Sequence, residues 1–152
     1  MRRLANGLTP GEGVFIYPEG TRFSAERQRR ALDRIRRHGD ADLVARAEQL
    51  RSVLPPRLGG TLALLDVETG ADVVFCVHFG FDGIRSFQDL LGGGLIDRSI
   101  EVEFWRVPAA HIPEDRDARI GWLYDQWSRV DEWVGRRSGA ALAPSWNAAP
   151  LG

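Results

Sequence analysis

The sequence predicts a single α/β domain, and three observations lead to this expectation. Residues 14–17 and 73–78 are short runs of apolar, β-favouring residues, which are typical of strands. Residues 25–38 and 116–137 place apolar residues at helical spacing. A chain of 152 residues with 43% hydrophobic content is long and apolar enough for one core of ordinary size.

The first predicted strand, residues 14–17, ends in a cluster of polar side chains. Pro18 closes the apolar run, and residues 19–22 read Glu-Gly-Thr-Arg. Ligands of open α/β sheets bind just beyond the carboxyl ends of strands. Gly20 lets the backbone approach a ligand closely, and Arg22 can grip a phosphate or carboxylate with two hydrogen bonds. These residues form a candidate binding loop, although a plain strand-to-helix turn with one surface ion pair also fits them.

An arginine-rich helix is predicted over residues 25–38, with Ser24 as its N-cap and Gly39 at its end. A solvated helix face is the common explanation for such a run. Contact with an anionic membrane surface is the alternative, in which each arginine near the surface contributes about 1 kcal/mol. Nucleic acid is not an expected partner, because no aromatic residues are interleaved with the arginines.

A rigid connector is predicted between a second helix, over residues 43–54, and a third, over residues 61–68. Pro55 and Pro56 stop the second helix, and Arg57 and two glycines follow. The prolines hold Arg57 at a fixed place. A simple connector and a loop that presents Arg57 to a ligand both fit this pattern.

The carboxyl-terminal half is predicted to contain two strands and a closing helix. The continuous apolar run 73–78 predicts a strand buried on both faces in a parallel sheet, with Cys76 and His78 on one face as core neighbours rather than a nucleophile pair. Alternation over residues 99–107 predicts a half-exposed strand near a sheet edge. A short helix is expected at 87–91, the closing helix at 116–137, and a flexible tail at 138–152.

Composition argues against several classes of protein. One cysteine and three scattered histidines provide neither a disulfide framework nor zinc-ligand spacing, so we expect no metal or resident cofactor. No apolar run approaches the length that spans a bilayer, and the amino terminus lacks the apolar core of a signal peptide. The net charge of −1 combines a basic amino-terminal half with an acidic carboxyl-terminal half.

Residues 17–24, Tyr-Pro-Glu-Gly-Thr-Arg-Phe-Ser, carry a resemblance to a known family. They resemble the third motif, Phe-Pro-Glu-Gly-Thr-Arg-Ser, of the glycerolipid acyltransferases, which acylate glycerol-3-phosphate and lysophosphatidic acid. Tyr17 is a mild departure from the motif. One short match is weak by itself, so support from other segments matters.

Two further segments resemble the eukaryotic-type lysophosphatidate acyltransferases. Pro56, Arg57 and Gly59 match a Val-Pro-Arg-Thr-Lys-Gly-like segment, whereas Leu58 replaces its hydroxyl residue. Residues 106–123 contain Arg-Val-Pro, Ile-Pro-Glu-Asp and Trp-Leu, which are similar to the segment that closes the acyltransferase domain in this branch. The three segments occur in the family's order.

The resemblance implies a fold, a reaction and a site. The fold is a central mixed, largely parallel sheet with covering helices, incomplete at the amino end, with residues 1–137 as the carboxyl-terminal part of the domain. The reaction transfers an acyl group from acyl-CoA or acyl-carrier protein, as a substrate, to the hydroxyl of lysophosphatidic acid or a related lysophospholipid. It implies a place at the cytoplasmic side of a membrane, peripheral or anchored through segments absent from this chain. The expected substrate-binding residues are Glu19, Gly20, Thr21, Arg22, Pro56 and Arg57.

The family's catalytic base has no counterpart in this chain. That base is the histidine of a His-x-x-x-x-Asp motif, whose aspartate orients the imidazole. The residues five positions beyond the histidines are Leu43, Gly83 and Arg116. The family places the motif upstream, and thirteen residues precede Val14. We therefore expect a fragment that is inactive alone, without a catalytic residue; the alternative is an inactive module that binds an anionic lipid or a protein partner.

Overall fold

The protein is described by a computed structural model over residues 9, 11–67, 70–80 and 99–142. Its helices are α1 (Ala25–His38), α2 (Ala41–Gln49), α3 (Leu58–Leu65) and α4 (Arg116–Leu142). Its strands are β1 (Val73–Phe79) and β2 (Glu101–Val107), and a 3₁₀ turn at Ala109–His111 leads from β2 towards α4.

The predicted bounds of α1 are confirmed. The Ser24 side chain accepts a hydrogen bond from the backbone N–H of Arg27, and the N–H of Gly39 donates to the carbonyl of Ile35 at the other end. The Asp40 side chain caps α2 in the same way, by accepting from the N–H of Leu43.

Helix α2 is shorter than predicted, since it ends at Gln49 instead of reaching residue 54. The reason is a competing acceptor. The backbone N–H groups of Arg51, Ser52 and Val53 donate to the carboxylate of Asp131 on α4 rather than to helix carbonyls. Residues 50–57 therefore form a loop, which we call the anchored loop.

The other two helices also differ from their predicted bounds. Helix α3 begins at Leu58, three residues before the predicted start, directly after Arg57. Helix α4 begins after Asp115, whose carboxylate accepts a hydrogen bond from the N–H of Ala118. This agrees with the start predicted from the acidic residues at 114–115. Helix α4 continues to Leu142, five residues beyond the predicted end.

Strands β1 and β2 form an antiparallel pair in which Phe75 lies opposite Trp105. Their inner face packs against α4, and the rings of Phe75 and Trp105 stack with centroids 5.0 Å apart. On the outer face, Val74 and Phe104 are 58% and 64% exposed. The half-exposed β2 is confirmed, whereas the expectation that β1 is buried on both faces is wrong for the described residues, because helices there cover only one face.

Residues 14–17 do not form the predicted strand. Phe15 and Tyr17 are both more than two thirds exposed and contact each other edge to face. A strand needs hydrogen-bonding neighbours on at least one edge, and the described part of the sheet contains β1 and β2 alone. The central, largely parallel sheet stays a prediction. The predicted helix at 87–91 and residues 143–152 of the tail lie outside the described residues.

The core lies where the anchored loop and the inner sheet face meet α4. Leu50, Val53, Val77 and Trp127 are all at least nine-tenths buried in it. The indole N–H of Trp127 donates to the carbonyl of Leu54 at 2.8 Å, so the anchored loop is fixed to α4 by a side-chain hydrogen bond as well as by packing. This places Arg57, at the end of the anchored loop, on a rigid support.

Candidate functional site

The two segments that the sequence singled out for binding lie side by side. The backbone N–H of Arg57 donates to the carbonyl of Pro18 at 2.8 Å. The turn itself is closed by a hydrogen bond from the N–H of Gly20 to the carbonyl of Tyr17 at 3.0 Å. A backbone contact thus joins the Glu-Gly-Thr-Arg turn, residues 19–22, to the end of the anchored loop.

Gly20 is held in a conformation and a space that other residues do not fit. Its φ is +68°, in the left-handed region that glycine adopts at little cost. A Cβ placed on it would lie 2.7 Å from the Cζ of Arg57 and 2.9 Å from its Nε. The guanidinium of Arg57 therefore packs directly on the Gly20 backbone, and Gly20 sets its position.

Glu19 points back into the protein and holds the anchored loop. Its carboxylate accepts a hydrogen bond from the backbone N–H of Leu54 at 3.2 Å. Burial raises the pKa of this carboxyl above its ordinary value, the bond from Leu54 opposes the rise, and the negative charge of Asp131 adds to it. Within the described structure this carboxylate joins the turn to the anchored loop.

Asp131 is the central support of the site, and the sequence analysis missed it. One of its oxygens, Oδ1, accepts from the N–H groups of Arg51, Ser52 and Val53 at 2.9, 2.5 and 3.0 Å. The residue is only 9% exposed. Asp131 lies four residues after Trp127, so it places an acid on the apolar face of α4. This break in the apolar pattern was the sequence signal that could have pointed to a buried role for Asp131.

The remaining predicted residues divide between surface and core. Thr21 and Arg22 are exposed, and the backbone carbonyl of Arg22 accepts from the Arg27 side chain at 3.1 Å. Pro56 is buried beside the exposed Arg57. The structure brings Glu19, Gly20, Pro56 and Arg57 into one assembly, while Thr21 and Arg22 continue from it at the surface.

A cleft of about 340 Å³ lies between α1 and the end of the anchored loop. Its buried lining residues are Pro55, Pro56 and Tyr124, and its exposed ones are Arg34 and Arg57. The cleft therefore has an apolar interior and two cationic side chains at the surface. It shares Arg57 with the turn.

Two arginines of α1 are paired with nearby acids. Arg30 pairs with Glu26 within the helix, and Arg36 pairs with Asp33 and with Glu48 of α2. The side chains of these pairs are 42–74% exposed, so each pair contributes little to stability. They favour the solvated-face interpretation for this part of the helix.

In the part of the chain that the structure describes, no group of three or more histidine, cysteine, aspartate or glutamate side chains is arranged to hold a metal ion. None of the helices described combines the length and the apolar character needed to cross a bilayer.

Comparisons with known proteins returned no relatives. No protein-family model, no curated protein and no solved structure matches the chain.

Proposed function

We propose that this chain is the acceptor-binding part of a lysophospholipid acyltransferase domain. In the proposed reaction an acyl group passes from acyl-CoA or acyl-carrier protein to the hydroxyl of lysophosphatidic acid or a related lysophospholipid. Arg22 and Arg57 hold the phosphate, and Glu19, Gly20 and Pro56 keep them in place. The protein works at the cytoplasmic surface of a membrane.

The contact between Gly20 and Arg57 is the observation that supports this proposal. The resemblance assigns the turn at 19–22 and the segment at 56–57 to one substrate site, although they are far apart in sequence. Their backbones are hydrogen-bonded, and the Arg57 guanidinium rests on Gly20. Arginine is suited to phosphate because its planar fork donates two parallel hydrogen bonds.

A second candidate function is an inactive module that binds an anionic lipid or a protein partner. It is favoured by the sequence of this chain, in which no histidine is followed by an aspartate at the family's spacing. Both functions include an anionic ligand at Arg22 and Arg57. They differ in whether a complete domain containing these residues transfers an acyl group.

Lysophosphatidate binding by the 152-residue protein tests the anion-binding role of Arg22 and Arg57 that the two candidate functions share. Arg22→Ala and Arg57→Ala each remove a charge-assisted contact of about 1.5–3 kcal/mol, so affinity should fall about 10- to 100-fold. Arg29→Ala, an exposed arginine of α1, is the matched control and should leave affinity unchanged. Monoacylglycerol, which lacks the phosphate, should bind no more weakly to the variants than to the wild type. Unchanged lysophosphatidate affinity in both variants would rule the site out.

An acyl-transfer assay tests the role of the chain alone. With acyl-CoA and lysophosphatidate, we expect no transfer by the 152-residue protein, because it has no candidate base at the family's spacing. Protein-dependent release of CoA with formation of phosphatidate would overturn that expectation.

A further inference from the structure

The cleft between α1 and the anchored loop has the chemistry of an amphiphile site. Its walls are formed by Ile35, Leu43 and Leu58, which are partly buried, around an interior of buried apolar residues. Its volume of about 340 Å³ falls within the range of small-molecule sites, roughly 300–1,000 Å³. The walls favour a hydrocarbon group, and the two exposed residues of the lining, Arg34 and Arg57, favour an anion.

Among the described residues, no acid pairs with the two cationic side chains at this cleft. No acidic residue lines it, and within the described part of the chain neither the Arg34 nor the Arg57 guanidinium forms an ion pair. This differs from Arg30 and Arg36 of the same helix, which are paired. Two guanidinium groups beside an apolar cavity, with no acid paired to them among the described residues, attract a ligand that carries negative charge on an apolar body.

Tyr124 supplies a third polar group, on the floor of the cleft. The residue is 1% exposed, and within the described structure its hydroxyl makes no hydrogen bond. Among the described residues, every side-chain nitrogen or oxygen that is fully shielded from solvent has a hydrogen-bond partner. Because the Tyr124 hydroxyl has none there, it is not fully shielded. The open space that Tyr124 lines is the cleft. Burial raises the pKa of Tyr124 to about 12, which keeps the hydroxyl protonated and able to donate at neutral pH. A phosphate oxygen bound in the cleft would offer this hydroxyl an acceptor.

We propose that this cleft binds the phosphate monoester of a single-chain amphiphile, with the phosphate at Arg34, Arg57 and the Tyr124 hydroxyl and the first part of the chain against Ile35, Leu43 and Leu58. The inference rests on the proposed function only for the assignment of Arg57 to substrate. It adds Arg34 and Tyr124 to the binding residues and defines the ligand by a headgroup and a chain together.

Calorimetric titration with dodecyl phosphate, below its micelle concentration, tests the proposal on the whole 152-residue protein. Arg34→Gln should weaken binding about tenfold or more, which corresponds to the loss of one charge-assisted contact. Tyr124→Phe should weaken it several-fold while the fold is kept, because it removes only a hydroxyl without a partner. Arg29→Gln is the control on the same helix and should bind like the wild type. Urea unfolding of each variant verifies that it is folded.

Two further probes separate headgroup from chain. Inorganic phosphate and dodecanol should each bind at least tenfold more weakly than dodecyl phosphate. If inorganic phosphate binds as tightly as dodecyl phosphate, the cleft is an anion site only. If dodecanol binds as tightly as dodecyl phosphate, the cleft is an apolar groove only. Either result overturns the proposal. So does unchanged dodecyl phosphate affinity in both Arg34→Gln and Tyr124→Phe.

The two proposals fail in different ways. If Arg22→Ala weakens lysophosphatidate binding while both Arg34→Gln and Tyr124→Phe leave dodecyl phosphate binding intact, the cleft proposal is wrong and the proposed function stands. If Arg34→Gln and Tyr124→Phe weaken dodecyl phosphate binding while Arg22→Ala has no effect on lysophosphatidate, the cleft is supported and the acceptor role of the turn is wrong.

Discussion

The guanidinium of Arg57 occupies the space in which a side chain at Gly20 would begin. A Cβ there would lie 2.7 Å from the Arg57 Cζ, and the adjacent backbones are joined by the hydrogen bond from the Arg57 N–H to Pro18. The position of Arg57 thus depends on the absence of a side chain in the turn. In the proposed site, Gly20 would therefore act on the ligand through Arg57.

Gly20→Ala should displace Arg57 and destabilise the protein. The left-handed φ alone costs about 1–2 kcal/mol for a residue with a Cβ, and the overlap with Arg57 adds to it. Gly59→Ala is the matched control, because Gly59 lies in α3 and a methyl group there would meet no other atom within 4 Å. This control should gain about 0.5–1 kcal/mol, since alanine loses less conformational freedom in a helix than glycine does. Urea unfolding measures both free energies.

The overlap itself is tested by combining two changes. Arg57→Ala removes the side chain that the new methyl group would meet, so Gly20→Ala should cost less in that background than in the wild type. An equal cost in the two backgrounds would show that Arg57 does not restrict position 20.

Asp131→Ala should be among the most destabilising substitutions at the site. It leaves the backbone N–H groups of Arg51, Ser52 and Val53 without their acceptor. The Val53 donor is buried, and a buried donor left unpaired costs about 1–3 kcal/mol; the two part-buried donors add less. Asp131→Asn keeps an acceptor oxygen and should cost less. Asp125→Ala, on the same helix as Asp131, breaks an exposed pair with Arg46 of α2 and should cost under about 1 kcal/mol. Similar unfolding free energies for Asp131→Ala and Asp125→Ala would contradict this role.

Glu19 should make stability fall as the pH rises. Its pKa in the folded protein is raised above the ordinary 4.5, chiefly by burial, so the folded state binds a proton more tightly than the unfolded state. The stabilising contribution of the protonated group is complete below pH 4.5 and is lost as the pH rises through the raised pKa. Glu19→Gln keeps an acceptor for Leu54 without the charge, so it should gain stability relative to the wild type between pH 4.5 and neutral pH. Unfolding in urea across that range measures the difference in unfolding free energy between Glu19→Gln and the wild type. A difference that stays constant or becomes smaller as the pH rises would contradict the raised pKa of Glu19.

The helical half of the fold could be read from local chemistry. Ser24 and Gly39 bound α1 because capping depends on residues next to the helix end. Strand β2 could also be predicted, since the alternation of polar and apolar residues in its sequence indicates one covered and one exposed face. The limits of α2 were not, because Asp131 withdraws three N–H groups from a helix more than seventy residues earlier in the chain.

The strand predicted at residues 14–17 shows the same limit of prediction from local sequence, here for an element that did not form. Its residues favour a strand, yet a strand exists only where a neighbour supplies hydrogen bonds, and sequence pattern alone does not identify that neighbour. For the site, motif resemblance selected Gly20 and Arg57, which do lie together. It did not indicate that Glu19 holds Leu54, because that contact depends on how the anchored loop is folded.

Arg119 should stabilise the junction between α3 and the start of α4 far more than its neighbour Arg116 does. Its guanidinium pairs with Asp66 at 2.9 Å and donates to the carbonyls of Pro113 and Glu114. Its side chain is 13% exposed, against 57% for Arg116, which pairs with the same carboxylate. Arg119→Ala should therefore lower the free energy of unfolding by about 1.5–3 kcal/mol, because it removes charge-assisted hydrogen bonds to Asp66 and to the part-buried carbonyl of Pro113, whereas Arg116→Ala should cost under about 1 kcal/mol. Arg119→Lys should recover only part of the loss, since an ammonium group does not reproduce the planar fork that reaches three acceptors. Equal losses in the two alanine variants would mean that burial does not distinguish the pairs.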